Sequence, residues 1–211
     1  MITFFLTTLL LFITTIPISA HGFYGMEKDD QRSTQTLFNG DVSHGGYGGL
    51  VFGATHINGE LSYLRGSRGA WIINFSNDHA LNLGIGRYRT GTDFEAVNWT
   101  ADIPRPEMRT NYSGFEMEYV NQSYRLLHFS VQSLIGSGSV RYDDRNIDMD
   151  KTRDTYFVLQ PGVNVNLNIT SWFRLNAGVL YRFASGVSLQ GTSNSDLSGG
   201  SGYIGLRFGG F

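Results

Sequence analysis

The chain contains no cysteine, so no disulfide staples it and no thiol is available for a lipid anchor. It is also short of charge. Asp, Glu, Lys and Arg make up 16% of its 211 residues, against roughly 25% in ordinary soluble domains. The net charge of −2 leaves no basic surplus of the kind that nucleic-acid binding needs. After residue 20 no apolar run supplies a membrane-spanning helix, which takes about 20 such residues. Glycine (27 residues) and aromatics (14%) are abundant instead. That suits a small barrel, where glycine relieves crowding inside and aromatics line the membrane interfaces outside.

Phe4 to Ile16 form an apolar run broken only by threonines, closed by Pro17 and followed by Ser19 and Ala20 before His21. Residues 1–20 therefore read as a signal peptide, although no Lys or Arg precedes the run. Residues 21–46 carry Glu27, Lys28, Asp29, Asp30 and Arg32 close together and read as a mobile N-terminal arm, with a short strand around Thr34–Phe38. Residues 47–211 fit a single β-barrel domain.

The strongest pattern lies between Tyr156 and Phe183. Phe157, Leu159, Pro161, Val163, Val165, Leu167 and Ile169 alternate with Gln160, Gly162, Asn164, Asn166 and Asn168. After Thr170–Trp172, Phe173, Leu175, Ala177, Val179, Tyr181 and Phe183 alternate with Arg174, Asn176, Gly178, Leu180, Arg182 and Ala184. Successive strand side chains point to opposite faces, so this is a hairpin with one greasy and one polar face. Further strands are expected at 47–57, 60–73, 79–89, 112–120, 124–135 and 202–208. Asn58-Gly59 is a hairpin turn signal, and glycines 66 and 69 suggest a bulge or bend. Beyond the first hairpin, short turns (74–78, 121–123, 170–172) alternate with long polar segments (90–111, 136–154, 185–200). This predicts an all-β, eight-stranded antiparallel up-and-down transmembrane β-barrel, its short turns periplasmic and its long loops outside. A soluble exported β-sandwich is the alternative, with the apolar faces buried against each other.

With apolar faces outward, the interior receives Glu116, Glu118, His128, Ser130, Gln132, Gln160, Asn164, Asn166, Arg174, Asn176 and Arg182. Glu116 and Glu118 are expected to form lumen ion pairs with Arg174 and Arg182, since a buried charge demands a partner. That arrangement is a structural core first and a narrow conduit second. His128 and Ser130 sit two apart beside the glutamates, the minimum for nucleophilic catalysis. His128-Phe129-Ser130 resembles the H-x-S-N arrangement of outer-membrane lipid A deacylases at three positions, with Val131 replacing Asn. No enzyme is inferred from it, because the pair faces inward. Asp143, Asp144, Asp148, Asp150 and Asp154 offer oxygen ligands for calcium, but their spacing matches no calcium loop and Arg and Lys lie among them. No metal or other cofactor is implied. Trp71, Trp172, Phe173, Tyr181 and Tyr203 suit interfacial girdles.

Gly48-Gly49, Ile57-Asn58-Gly59, Arg68-Gly69-Ala70-Trp71-Ile72-Ile73-Asn74, Gln160-Pro161-Gly162-Val163-Asn164-Val165, Tyr181-Arg182 and Ser195-Asp196-Leu197-Ser198-Gly199 together resemble a family of small exported barrel proteins of Gram-negative bacteria, related in pattern to the OmpX/OmpA-type barrels. The resemblance covers nearly all of residues 45–211. It implies a fold and an outer-membrane location and carries over no catalytic residue. The expected role is structural or adhesive, with a pore or a His128/Ser130 lipid hydrolase as alternatives. Expected partners are outer-membrane lipid and lipopolysaccharide, the barrel-assembly machinery, and a surface ligand held by loops 90–111, 136–154 and 185–200. Assembly machinery reads a C-terminal aromatic pattern. Here Phe211 is out of parity with Ile204, Leu206 and Phe208 unless Gly209-Gly210 forms a bulge.

Overall fold

The computed structural model describes residues 42–76, 78–90, 94–95, 107–142 and 153–211. The expected signal peptide, the arm up to residue 41 with its Thr34–Phe38 strand, and the loop aspartates 143 to 150 lie outside the described residues. Eight long strands follow in order: β1 Ser43–Ile57, β2 Glu60–Asn74, β3 His79–Thr90, β4 Glu107–Asn121, β5 Leu127–Tyr142, β6 Arg153–Asn168, β7 Phe173–Ser185 and β8 Gly199–Gly210. Each pairs antiparallel with its chain neighbours, and β8 pairs with β1, so the sheet closes. A two-residue strand, Phe94–Glu95, adds to β4 at Met108 and Glu107. Both strand termini and three short turns lie at one end of the barrel (the terminal end). The Asn58-Gly59 turn, the β7–β8 connection and the strand ends Thr90, Glu107, Tyr142 and Arg153 lie at the other (the loop end).

Alternation decides which side of the wall each residue occupies. Phe52, Trp71, Ile85, Phe115, Phe129, Phe157, Val179 and Ile204, one from each strand, are exposed on the exterior. All eleven residues expected inside are buried. A two-sheet sandwich is thereby excluded, because the apolar faces do not meet each other. Tyr203 corrects one expectation: it is 4% exposed and lies inside rather than in an outer girdle.

The turns follow local chemistry. Asn58 and Gly59 have φ of 55° and 80°, the left-handed pair that a type I′ hairpin requires. The pairing of β1 with β2 runs unbroken through Gly66 and Gly69, so no bulge forms there. Nor does one form at Gly209-Gly210, which pair with Tyr47 and Gly46. Phe211 instead packs beside Tyr47, their ring centroids 6.1 Å apart, while Phe208 faces out against Phe173 at 4.9 Å. Pro161 has no N–H to donate. The β6–β7 ladder skips Gln160 and Pro161 and resumes at Gly162↔Leu180 in the same register.

Several strands are longer than the alternation predicted. β4 begins at Glu107, and β5 continues to Tyr142. The apolar pattern stops where outward residues turn polar, but backbone pairing does not need an apolar side chain and carries on. Strands β4, β5 and β6 have 15, 16 and 16 residues, against 13 and 12 for β7 and β8. The long Ser- and Gly-rich loop expected at 185–200 carries a one-turn helix, α1 (Asn194–Leu197), before β8.

Candidate functional site

The middle of the lumen is a charged network centred on Glu118 of β4. Arg207 of β8 grips it with both guanidinium nitrogens, at 2.9 and 3.0 Å. Asn82 donates to the same carboxylate at 2.9 Å, and Asn164 at 3.2 Å. Ser130 donates to it as well. Glu116, one inward step away on β4, pairs with Arg68 of β2 at 2.8 Å and accepts from the Tyr88 hydroxyl. Arg68 also donates to Gln132 at 3.0 Å and to Tyr203 at 3.2 Å. Two arginines thus balance two carboxylates, and further donors occupy the carboxylate lone pairs, the condition under which buried charge is tolerated. The network needs space that side chains would otherwise take. Gly86 supplies it beside the Glu116 carboxylate, where a Cβ would overlap the side chain.

The expected pairing therefore needs correction. Glu116 and Glu118 do form ion pairs, but with Arg68 and Arg207. Arg174 donates to the Ser123 carbonyl at 3.3 Å and stacks 3.9 Å over the Phe211 ring. Arg182 donates to the carbonyls of Leu197 and His56, at 2.6 and 3.4 Å, and lies 5.2 Å over the Tyr112 ring. His128 and Ser130 are not brought together as a catalytic pair. The histidine Nδ1 lies 3.1 Å from the Arg125 carbonyl. The serine hydroxyl is engaged with Glu118 and Asn166. Asp154, one of the calcium candidates, accepts from the Ser188 hydroxyl at 3.0 Å.

Above this network, toward the loop end, the lumen becomes apolar and aromatic. Tyr88 and Tyr112 stack at 5.1 Å, among Val51, Leu64, Leu134, Val140 and Val158. The β7–β8 connection folds down onto this layer and buries Leu189 and Leu197 in it. Asp154 holds that connection at Ser188, and the Asn58 amide bonds the Asp196 carbonyl at 2.7 Å. Arg182, Arg207, Tyr88 and Tyr112 are among the largest fully buried side chains. They fill the lumen as an eight-stranded barrel requires.

A second cluster lies on the exterior at the loop end, and sequence reading missed it. Arg65, Arg87, Arg89, Arg109, Arg141 and Arg153 all face outward on β2 to β6 and line a concavity of about 530 Å³. The register sets like charges side by side. Arg65 is directly opposite Arg89, Arg109 opposite Arg141, and Arg141 opposite Arg153. Like charges in direct cross-strand contact destabilise a sheet unless negative charge lies beside them, and Arg109 has a further interaction of its own. Arg65, Arg87 and Arg89 also border a groove with Leu50 and Phe52. The missed signal was parity. Carrying outward alternation past Ile85 places Arg87 and Arg89 on the exterior, and carrying it past Phe115 and Ile135 does the same for Arg109 and Arg141.

No family model and no curated protein matches the chain. Similarity appears among solved structures. Ail, the attachment invasion locus protein of Yersinia pestis, aligns with a TM-score of 0.53 at 14% identity, covering 79% of this chain and 97% of that one. Ail in complex with the heparin analogue sucrose octasulfate gives 0.53 at 15%, over 79% and 97%. Neisserial surface protein A gives 0.52 at 14%, over 80% and 99%. These are small outer-membrane β-barrels of Gram-negative bacteria. At such identities the likeness establishes the fold, and at that level the expected kinship with small outer-membrane barrels holds.

Proposed function

We propose that the protein is an outer-membrane barrel that acts as a surface-contact protein, binding anionic glycans through its arginine-lined rim and the adjoining loops. The observation that carries this reading is the set of outward arginines on β2 to β6, opposed in register as Arg65 with Arg89 and as Arg109 with Arg141 and Arg153. Location in a membrane is supported by the apolar exterior, which runs over all eight strands. Soluble monomers rarely expose apolar patches beyond a few hundred Å². Export by residues 1–20 and insertion by the barrel-assembly machinery belong to the same reading. The sulfated ligand named for Ail is of the charge class that such a rim attracts.

The filled lumen favours a contact role over a conduit, and the lining of His128 and Ser130 by internal partners favours it over lipid hydrolysis. The test is adsorption of the barrel, reconstituted in vesicles, to immobilised heparin. Binding should fall steeply with added salt, and the variant Arg109→Gln/Arg141→Gln/Arg153→Gln should lose about tenfold or more in affinity. Equal retention of wild type and variant would remove the reading.

A further inference from the structure

The six rim arginines do not share one environment. Arg109, Arg141 and Arg153 lie where β4, β5 and β6 run on toward the loop end, beyond the outward polar residues Asn111, Ser139 and Thr155. Arg65, Arg87 and Arg89 stand lower on the wall. Arg87 is one outward step from Ile85, and Arg65 one from Tyr63. They also edge a groove of about 380 Å³ whose other wall is Leu50 and Phe52. A second hollow, about 550 Å³, continues below Arg87 past Ile85, where the outward positions are the small residues Ser67, Gly69 and Ser113. Three fixed cations therefore sit at the head of an apolar trough on a surface built to face acyl chains.

A free polyanion accounts for the cations but not for the trough, and an acyl chain alone accounts for the trough but not for the cations. A lipid-facing arginine is costly at the bilayer midplane and far less so near the interface, so these three belong at headgroup height. Arginine binds phosphate through paired N–H donors. Arg65 and Arg89 are directly opposed across β2 and β3, so one phosphate between them would meet two guanidinium groups.

We infer that Arg65, Arg87 and Arg89 form a lipid site in the barrel wall, which holds the phosphate of an outer-leaflet phosphorylated glycolipid while an acyl chain lies along the Leu50/Phe52 groove. This rests on the outer-membrane reading above and adds a ligand held by the barrel wall.

The experiment is native mass spectrometry of the barrel extracted from outer membranes in neutral detergent. It is followed by titration of the delipidated, heat-modifiable barrel with lipid A, dephosphorylated lipid A and inorganic phosphate. Wild type should carry phosphorylated glycolipid. Arg65→Gln/Arg87→Gln/Arg89→Gln should carry at least about tenfold less, whereas Arg109→Gln/Arg141→Gln/Arg153→Gln should carry as much as wild type. In the titration, lipid A should bind at least about tenfold more tightly than the other two probes. Equal binding of dephosphorylated lipid A would overturn the role of the arginines. Inorganic phosphate binding as tightly as lipid A would make the site one for free anions and overturn the lipid. A barrel that shifts on heating yet carries no glycolipid would end this inference and leave the membrane reading intact. Protein that is water-soluble and shows no shift would end both.

Discussion

The middle of the lumen is held by charge, and the loop end by rings and aliphatic side chains. In the middle, Glu116 and Glu118 are locked to Arg68 and Arg207 with amides and hydroxyls around them. Toward the loop end the stacked Tyr88 and Tyr112 lie among valines and leucines, roofed by Leu189 and Leu197. Both regions are fully buried and serve the same wall, yet they fail differently. A charged network tolerates no missing member, because the remaining charge stays buried without its counter-charge. An apolar layer loses only the transfer energy and the cavity left behind.

The sharpest way to break the comparison is Glu118→Leu. It strands Arg207 and should cost about 3–5 kcal/mol, read from urea unfolding of the barrel in lipid vesicles. Adding Arg207→Leu should restore a large part, and a double-mutant cycle with no coupling would show that the pair is not the keystone of the network. In the apolar layer, Leu134→Ala should cost about 2–5 kcal/mol from its cavity alone. No second-site charge change should rescue it. If one did, the two regions would be one cooperative unit. The smallest effect is expected from Asp154→Ala, which releases the roof at Ser188. It should cost about 1–2 kcal/mol and expose residues 186–198 to proteolysis while the strands stay resistant. Equal cleavage of variant and wild type would show that the aspartate does not hold the roof.

Much of this was legible in the chain. The eleven expected lumen residues are buried, and the Asn58-Gly59 turn has the positive φ values its composition called for. Partner choice was not legible. Arg207 lies 89 residues from Glu118, and only closure of β8 onto β1 swings it across the lumen. Its inward parity, between Leu206 and Phe208, was readable nonetheless. Strand ends were misplaced because they were drawn where apolar alternation stops. That marks where the exterior stops being greasy, not where the backbone stops pairing. Residues 136–142 therefore read as loop and are strand, and this hid Arg141, which they bring onto the exterior.

What the sequence by itself determined is the face each residue occupies, since a period of two assigns inside and outside without knowledge of any neighbour. It also set the number of strands and the alternation of short and long connections. Height and bearing around the barrel were decided only by the tertiary structure. Cross-strand register and closure bring together residues that no local pattern links: Glu118 with Arg207, Arg65 with Arg89, and Asp154 with Ser188. Side-chain period is a local property of one strand. Register is a property of two strands, and closure of all eight.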